Sequence, residues 1–326
     1  VHGESAYFVW LNQGKQSLVA DIKKASDREL LHRILAQADV FIQNLAPGAA
    51  ARAGFDSIKL REQNPRLITV DISGYGEEGA YRDMKAYDLL VQCETGLAAI
   101  TGAPEQPGRV GVSVCDIACG MHAHAAVLEA LIARGQTGEG RGIAVSLFDA
   151  LADWMTVPLL HQQYAGAAPA RVGLHHPSIA PYGAYYCKGS EQVVISIQNE
   201  REWVRFCAEV LELPELAADV RFANNPARCA NRPALDAEIN AVFAQYTRPQ
   251  LAERLHAGAI AYASVNSVAD LAAHSQLRRE DVATPSGPVA IVAPPAQVRG
   301  AKPVLGAVPD VGEHSAALRR EFSPRD

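Results

Sequence analysis

The sequence predicts an α/β fold in two parts, a large domain with a parallel sheet and a smaller α/β domain. Between residues 17 and 148, short apolar runs alternate with segments of helical period, which is typical of helices layered on a sheet. Residues 165–181 are rich in Ala, Gly, Pro and His, which indicates a boundary. With 326 residues, 48% of them hydrophobic, the chain can bury a sizeable core.

Apolar runs predict the strands of the first part, and apolar positions three or four residues apart predict the helices between them. The strands are expected at residues 17–22, 40–43, 67–72 and 143–147. The helices are expected at residues 27–37, 58–63, 116–134 and 149–164.

A second α/β unit follows the boundary, with a predicted strand at 192–197 and helices at 200–211, 235–246 and 250–256. The segment 285–309 is rich in Pro and Gly and is expected to return to the first domain. We therefore predict a large domain of residues 1–165 with 285–326 returning to it, a linker at 166–180, and a small domain of residues 181–281.

The composition argues against several classes of partner. The net charge is −6 and the Lys and Arg residues are scattered, so no basic surface for nucleic acid is expected. No run approaches the roughly 18 apolar residues of a membrane span, and the first residues lack the features of a signal peptide. Six cysteines lie mostly among apolar residues, which favours reduced thiols. We expect a soluble, cytoplasmic protein.

One glycine motif allows a different class of function. Gly74, Gly76 and Gly79 form a G-x-G-x-x-G pattern after a predicted strand, as in dinucleotide-binding sites. The following residues 80–86 are polar and aperiodic, and no acidic strand end lies about 20 residues further on. A plain loop is favoured, and an NAD-dependent oxidoreductase is kept as the alternative from another class.

A second cluster could bind metal by its spacing. Cys115, Cys119, His122 and His124 lie close together, and three of them share one face of a predicted helix. The two cysteines stand among Val, Ala and Ile, where thiols usually behave as small apolar side chains. Packing is therefore favoured, and no metal site is predicted.

Asp116 opens the predicted long helix after the apolar segment 110–114. An aspartate in this position is commonly an N-cap, because its carboxylate accepts from free backbone N–H groups. The same helix end stabilises an anion and would keep the carboxylate available as a nucleophile. The residues alone leave both interpretations open.

Nine short segments, in this order, occur in one family of enzymes and extend over nearly the whole chain. They are LNQGKQS at 11–17, QNLAPG at 43–48, NPRLI at 64–68, SGYG at 73–76, YD at 87–88, TG at 101–102, DIACGMH at 116–122, TGEG at 137–140 and GEH at 312–314. The chain resembles the family III CoA-transferases of the CaiB/BaiF type, which include formyl-CoA transferases and α-methylacyl-CoA racemases.

The resemblance implies a Rossmann-like large domain, an interlocked homodimer and a role in acyl-CoA metabolism. Coenzyme A thioester would be a substrate, and no tightly bound cofactor is implied. The family's nucleophile falls on Asp116, which would form a mixed anhydride and then an aspartyl-CoA thioester. Family members begin with a further strand and helix before the part that matches Val1, so the sequence is expected to lack part of the first nucleotide-contacting region.

By position, the family's CoA-binding role falls on one short segment and four single residues. A cation at Arg52 or Lys85 would suit the phosphates of CoA. The full set is Leu11, Asn12, Gln13, Gly14, Asn44, Arg52, Lys85 and Tyr87.

The family's racemase branch is the alternative on the same scaffold, since it pairs its aspartate with a histidine at the position of Tyr87. A tyrosine is a poor proton-exchange partner near neutral pH, so CoA transfer is favoured. The segment 171–183 replaces the glycine-rich loop of formyl-CoA transferases, which argues against oxalate. It resembles the itaconate and mesaconyl-CoA transferase subgroup, with succinyl-CoA as a donor. Arg171, His175 and His176 are the candidates for binding a second carboxylate.

Overall fold

The computed structural model describes residues 1–324. They form two compact units. The first contains Val1–Lys85, Cys119–Leu147 and the described residues from Ala269 onward, and the second contains Ala86–Ala118 and Phe148–Val268. The second unit therefore includes residues 86–118 and 148–165, which the sequence assigns to the large domain. The domain limits drawn from the sequence stay a prediction.

The strands are β1 Val40–Gln43, β2 Ile68–Ser73, β3 Gly102–Ala103, β4 Gln106–Pro107, β5 Gly142–Ser146, β6 Tyr182–Tyr186, β7 Gln192–Ser196, β8 Ala261–Ser264, β9 Arg279–Thr284 and β10 Gly287–Val292. The α-helices are α1 Ala6–Leu11, α2 Ala25–Leu35, α3 Ala49–Arg52, α4 Ser57–Gln63, α5 Asp88–Glu94, α6 Leu97–Ile100, α7 Val114–Thr137, α8 Leu147–Trp154, α9 Thr156–Tyr164, α10 Glu200–Arg205, α11 Asn225–Ala230, α12 Arg232–Phe243, α13 Arg248–Ala257, α14 Val268–Ala272 and α15 Ser315–Glu321. A π-helix, Phe206–Leu211, continues α10, and a 3-10 helix spans Pro214–Ala218.

The first unit is built on a parallel sheet of order β1-β2-β5. Ile68 and Val70 of β2 are fully buried, and Ala123 and Ala130 of α7 pack in the same cluster. Parallel strands need both faces covered, which explains why the first three residues of β2, Ile68, Thr69 and Val70, are all buried. This sheet confirms the predicted α/β class, and it brings the carboxyl ends of β1, β2 and β5 to one edge.

The second unit has an antiparallel sheet of order β6-β7-β8. Alternate residues of β7, Val193 and Ile195, are buried, as expected for a sheet with one covered face. They join an aromatic core with Trp203, Phe206 and Phe243. The predicted small α/β unit is therefore present around this sheet.

Residues 17–22, predicted as a strand, form no strand. Their polar backbone groups bond to the C-terminal helix region instead. Ser17 N–H donates to His314 Nδ1 at 3.2 Å, Val19 N–H to Ser315 Oγ at 3.0 Å, and the Val19 carbonyl accepts from Arg319 at 3.0 Å. The apolar run is thus extended chain held by side chains some 300 positions away, which local pattern cannot reveal.

One further prediction is corrected, and one segment contains a strand that the sequence did not indicate. The predicted helix 149–164 is two helices that meet at Met155. Pro158 lies in the first turn of α9, where its missing N–H is tolerated, but it could not sit inside one continuous helix without a lost hydrogen bond. The segment 285–309 contains β10, which pairs with β9 in an antiparallel hairpin.

By length and composition, α7 passes as a membrane-crossing helix, with a mean hydropathy of 1.3 over its most apolar window. The expectation that no segment approaches such a span is therefore wrong by these two criteria. Core helices of soluble proteins meet the same criteria, and Ala123 and Ala130 of α7 pack in the cluster of β2.

We expect Leu235→Ala in α12 to lower the free energy of unfolding by about 2–5 kcal/mol, because the side chain is fully buried and its loss leaves a cavity. Urea unfolding followed by tryptophan fluorescence measures the change, since Trp203 belongs to the same core. Val220→Ala is the control: Val220 is 85% exposed and its truncation should cost less than about 0.5 kcal/mol. Equal losses in the two variants would contradict the assigned core.

Candidate functional site

Asp116 lies in the first turn of α7, which begins two residues earlier at Val114. The sequence placed the start of this helix at Asp116, so its suggested N-cap role is wrong. Its carboxylate is exposed, and within residues 1–324 it takes part in no hydrogen bond or ion pair. The positive end of the helix dipole favours an anion there. Asp116 is therefore an accessible carboxylate that no hydrogen bond or ion pair of the described residues holds.

Asp88, the first residue of α5, does the capping instead. Its Oδ1 accepts from the backbone N–H of Cys115 at 2.8 Å, and its Oδ2 accepts from Gln92 Nε2 at 2.7 Å. Gln92 is fully buried, and its Oε1 accepts from the N–H of Val110 at 2.9 Å. One chain of hydrogen bonds thus joins α5, the segment before α7 and the first turn of α7.

The electrostatics of Asp116 follow from this arrangement. Partial loss of hydration raises the pKa of the Asp116 carboxyl, and the negative charge of Asp88 raises it further. A carboxylate of higher pKa is more basic and is a better nucleophile while it remains ionised. Burial, followed by the charge of Asp88, raises the pKa of the neighbouring Cys115 thiol to about 12. At neutral pH, Cys115 is therefore a protonated thiol.

The first predicted CoA segment follows α1 in the first unit. Asn12 Nδ2 donates to the Phe8 carbonyl at 3.0 Å, and Gln13 Nε2 donates to the Trp10 carbonyl at 3.0 Å. Leu11 is 52% exposed. Gly14 has a φ of +70°, and its N–H donates to the Ala307 carbonyl at 2.9 Å. The segment is fixed by its bonds to α1 and to Ala307, and the Leu11 side chain is exposed.

Asn44 and Arg52 flank the loop that follows β1. Arg52 Nη1 donates weakly to the Pro47 carbonyl at 3.4 Å. Gly48 has a φ of +71°, and a Cβ there would lie 2.8 Å from Arg52 Nη1. The positive φ favours glycine at residue 48, whereas the flexible end of Arg52 could move away from a Cβ.

A pocket of about 360 Å³ opens at the carboxyl ends of β1 and β2. In open parallel sheets, ligands bind at this edge. The pocket is lined by Gln43, Leu45, Pro47, Gly48, Asp71, Ile72, Ser73, Glu77, Glu78 and Arg82.

Lys85 and Tyr87, the remaining CoA candidates, are both exposed, Tyr87 to 68%. Lys85 closes a segment of the first unit, whereas Tyr87 immediately precedes α5 in the second, beside Asp88. The structure therefore distributes the CoA candidates between the two units.

Of the three candidates for a second carboxylate, Arg171 and His176 make local contacts and the His175 ring is partly buried. The Arg171 guanidinium donates to the carbonyls of Ala99, Ala103 and Pro104 at 2.7–3.2 Å. His175 Nδ1 is buried without a partner in the described part of the chain, and burial lowers its pKa, which favours the neutral ring. His176 stacks on Tyr182 with ring centroids 5.1 Å apart. Arg171 thus ties its segment to the β3–β4 region, and the predicted ligand role of all three stays a prediction.

The other two motifs have structural explanations. Ser73 Oγ accepts from the N–H of Gly76, and the loop 74–79 leads into turns rather than into a helix. A dinucleotide pyrophosphate would therefore find no helix N-terminus there. Cys115 and Cys119 are buried, and in the part of the chain that the structure describes no group of three His, Cys, Asp or Glu side chains is arranged to hold a metal ion.

Sequence reasoning missed Asp88 and Gln92 as parts of the site. Their spacing of four residues on a helix was a usable signal, because such residues share a face. The backbone N–H groups of Val110 and Cys115, which donate to Gln92 and Asp88, could be found only from the structure.

We expect Asp88→Asn to lower the pKa of Asp116. The amide keeps an oxygen that accepts from Cys115 N–H, but it removes the like charge that raises the Asp116 pKa. Wild type should therefore protonate Asp116 at a higher pH than the variant as the pH falls. NMR titration with carboxyl-labelled aspartate measures the Asp116 pKa in wild type and in the variant. Asp116→Asn identifies the signal of Asp116, because that signal is missing from its spectrum. Glu129→Gln, also on α7, should leave the pKa unchanged, and a titration identical in the Asp88 variant would refute the assigned repulsion.

Comparison with known proteins identifies the family. The model of CoA-transferase family III matches residues 1–315. The chain is 33% identical to an acetyl-CoA:oxalate CoA-transferase of Acetobacter aceti, covering 99% of this chain and 84% of that protein. It is 30% identical to a succinate–glutarate CoA-transferase of Agrobacterium fabrum, covering 98% and 81%. A crystal structure of a CaiB/BaiF family protein from Brucella suis superposes with a TM-score of 0.85 at 33% identity, covering 99% of this chain and 86% of that one. The chain belongs to CoA-transferase family III.

Proposed function

We propose that this enzyme moves CoA from an acyl-CoA donor to a small dicarboxylic acid through a covalent intermediate on Asp116. The observation that carries the proposal is the exposed Asp116 carboxylate, free of protein partners in residues 1–324 and placed in the first turn of α7 beside Asp88. The reaction needs a thioester and a carboxylate, and no tightly bound cofactor.

The chemistry proceeds in four exchanges at carbonyl carbons. An Asp116 oxygen attacks the donor's thioester carbon, the C–S bond breaks, and CoA thiolate leaves a mixed anhydride. The thiolate then attacks Cγ of Asp116 and releases the donor acid as its carboxylate. The acceptor carboxylate attacks the aspartyl thioester and frees CoA thiolate, which finally attacks the acceptor's acyl carbon and restores the Asp116 carboxylate. Each exchange conserves charge, so no proton donor is required.

The relatives support a dicarboxylic acceptor. Besides the oxalate and glutarate enzymes, they include a succinyl-CoA–D-citramalate CoA-transferase of Chloroflexus aurantiacus and a succinyl-CoA:mesaconate CoA-transferase of Haloarcula hispanica. Each named acid has two carboxylates. We propose succinyl-CoA with itaconate or mesaconate as the first pair to test. Oxalate should be tested as an acceptor alongside these acids, because the acetyl-CoA:oxalate CoA-transferase of Acetobacter aceti is 33% identical to this chain. The segment 171–183 argued against oxalate at the level of the sequence.

Racemisation on the same scaffold is the less favoured alternative. Tyr87, which stands where the racemases have a histidine, is 68% exposed. A phenol does not exchange protons readily near neutral pH, which supports transfer. The loop 74–79 gives no support to the oxidoreductase alternative, because no helix begins there.

Asp116→Asn should reduce CoA transfer at least about thousandfold, because an amide cannot form the anhydride. The assay mixes succinyl-CoA with isotope-labelled free acid and follows label in a new thioester by mass spectrometry. Hydroxylamine added during turnover should leave a hydroxamate at residue 116. Glu129→Gln on the exposed surface of α7 is the control and should retain activity. Loss of α-deuterium without label transfer would indicate the racemase instead.

A homodimer is also part of the proposal, and the surface of α7 supports it. Met121, Leu128 and Ile132 recur at positions i, i+7 and i+11, so they share one helix face, and they are 63%, 47% and 67% exposed. Only 28% of the helix's most apolar window is buried. An apolar helix face of this kind is typical of a subunit interface. A cytoplasmic location is proposed as well, supported by six cysteines that are all free thiols.

Sedimentation velocity tests the dimer. The wild-type chain should sediment as a dimer, and Ile132→Lys should shift it toward monomer, because a charge would be buried without a partner. Val220→Lys, at a residue 85% exposed in the second unit, is the matched control and should leave the dimer intact. A monomeric wild type at micromolar concentration would contradict the proposal.

A further inference from the structure

A short chain of hydrogen bonds joins β2 to the loop that follows β1. Asp71 Oδ1 accepts from Gln43 Nε2 at 2.8 Å and from Ser57 Oγ at 2.8 Å. Gln43 Oε1 accepts in turn from the backbone N–H of Leu45 at 2.8 Å. All four residues belong to the first unit.

The carboxylate gives this chain a direction. An ionised carboxylate can only accept, so the NH₂ end of the Gln43 amide must face Asp71. The oxygen end then faces the N–H of Leu45. Gln43 and Asp71 are register partners in the parallel pair of β1 and β2, so the two side chains start from neighbouring positions. Asp71 therefore sets which end of the Gln43 amide reaches the loop.

The loop held in this way is a wall of the pocket at the strand ends. Leu45, Pro47 and Gly48 line one side of the pocket, and residues 71–73 line the other. Residues 44–48 are exposed, and the Arg52 side-chain contact to the Pro47 carbonyl is long at 3.4 Å. At its far end, the loop is joined to α3 by bonds from Ala49 N–H to the Ala46 carbonyl at 2.8 Å and from Arg52 N–H to the Gly48 carbonyl at 3.0 Å. The bond from Gln43 fixes the loop at its first turn away from β1.

We propose that Asp71 is a positioning residue for CoA binding, which acts through Gln43 to hold the loop 44–48 in the conformation that lines this pocket. The inference rests on the proposed function, because it takes CoA as the ligand of the pocket. Without the chain of bonds, the loop must be ordered when CoA binds. Ordering one residue costs on the order of the free energy of a tenfold change in affinity. The cost falls on binding and leaves the chemical steps at Asp116 unchanged.

The test measures CoA binding by isothermal titration calorimetry and acyl-CoA turnover, both on the full chain. Asp71→Ala and Gln43→Leu should each weaken the CoA Kd about tenfold, equal to about 1.4 kcal/mol. The KM for acyl-CoA should rise in parallel, with kcat within about twofold of wild type. The double variant should be no weaker than either single one, because both break the same chain.

Two variants separate positioning from simple damage. Ser57→Ala removes a bond to the same Asp71 oxygen but leaves the link to the loop, so its Kd should stay within about twofold of wild type. Asp71→Asn keeps an acceptor oxygen and should recover most of the affinity that Asp71→Ala loses. Thermal melting shows whether each variant is folded. If Asp71→Ala does not fold, Asp71→Asn, which has nearly the same shape as the native side chain, is the variant to measure.

The inference is overturned if folded Asp71→Asn binds CoA as weakly as Asp71→Ala is expected to. It is equally overturned if folded Gln43→Leu binds CoA as tightly as wild type. It is also overturned if kcat falls with KM unchanged. Failure of the proposed function has a different signature, since the wild-type chain itself would then transfer no label. The binding titrations do not depend on turnover, so the two failures can be told apart.

Discussion

The hydrogen bond from Cys115 N–H to Asp88 is the contact on which the site depends. A helix start needs acceptors for its first N–H groups, and here the acceptor is a carboxylate from another helix rather than a local side chain. Because Asp88 satisfies the helix end, Asp116 is released from capping and faces solvent. Gln92 extends the same restraint to Val110, so the segment before the helix is fixed as well. The orientation of Asp116, the proposed nucleophile, is thus a tertiary property of α5 and α7 together.

Much of the first unit could be predicted from the sequence because its signals are local. The strand at 40–43 was predicted at its observed limits, and the helix at 58–63 began one residue late. The strand predicted at residues 17–22 is absent, because the contacts that hold this segment are not local. Its apolar residues resemble a strand, but its backbone partners are His314, Ser315 and Arg319, which local pattern does not reveal. The hairpin of β9 and β10 was missed because Pro and Gly hid the alternation of residues 287–292.

Among the site residues, too, some could be predicted from the sequence and others could not. Asp116 could be singled out because an ordered set of motifs surrounds it, and its place in the first turn agrees with that interpretation. Arg171 shows the limit of such transfer: as a residue type it suits a carboxylate, yet its guanidinium is used by three backbone carbonyls. Asp71 shows the converse. Nothing near it in the sequence suggests a role, and its importance emerges only from its register with Gln43.

The position of Cys115 beside Asp116 has a consequence for chemoselectivity. A thiolate there would compete with the carboxylate for the donor's acyl group, and the resulting cysteinyl thioester would divert it from CoA. Burial and the charge of Asp88 keep the sulfur protonated, while the same charge makes the Asp116 carboxylate more basic. One fixed anion therefore disfavours the Cys115 thiolate and makes Asp116, the proposed nucleophile, more basic. The two adjacent residues also differ in access, because the Cys115 side chain is buried and the Asp116 carboxylate is exposed.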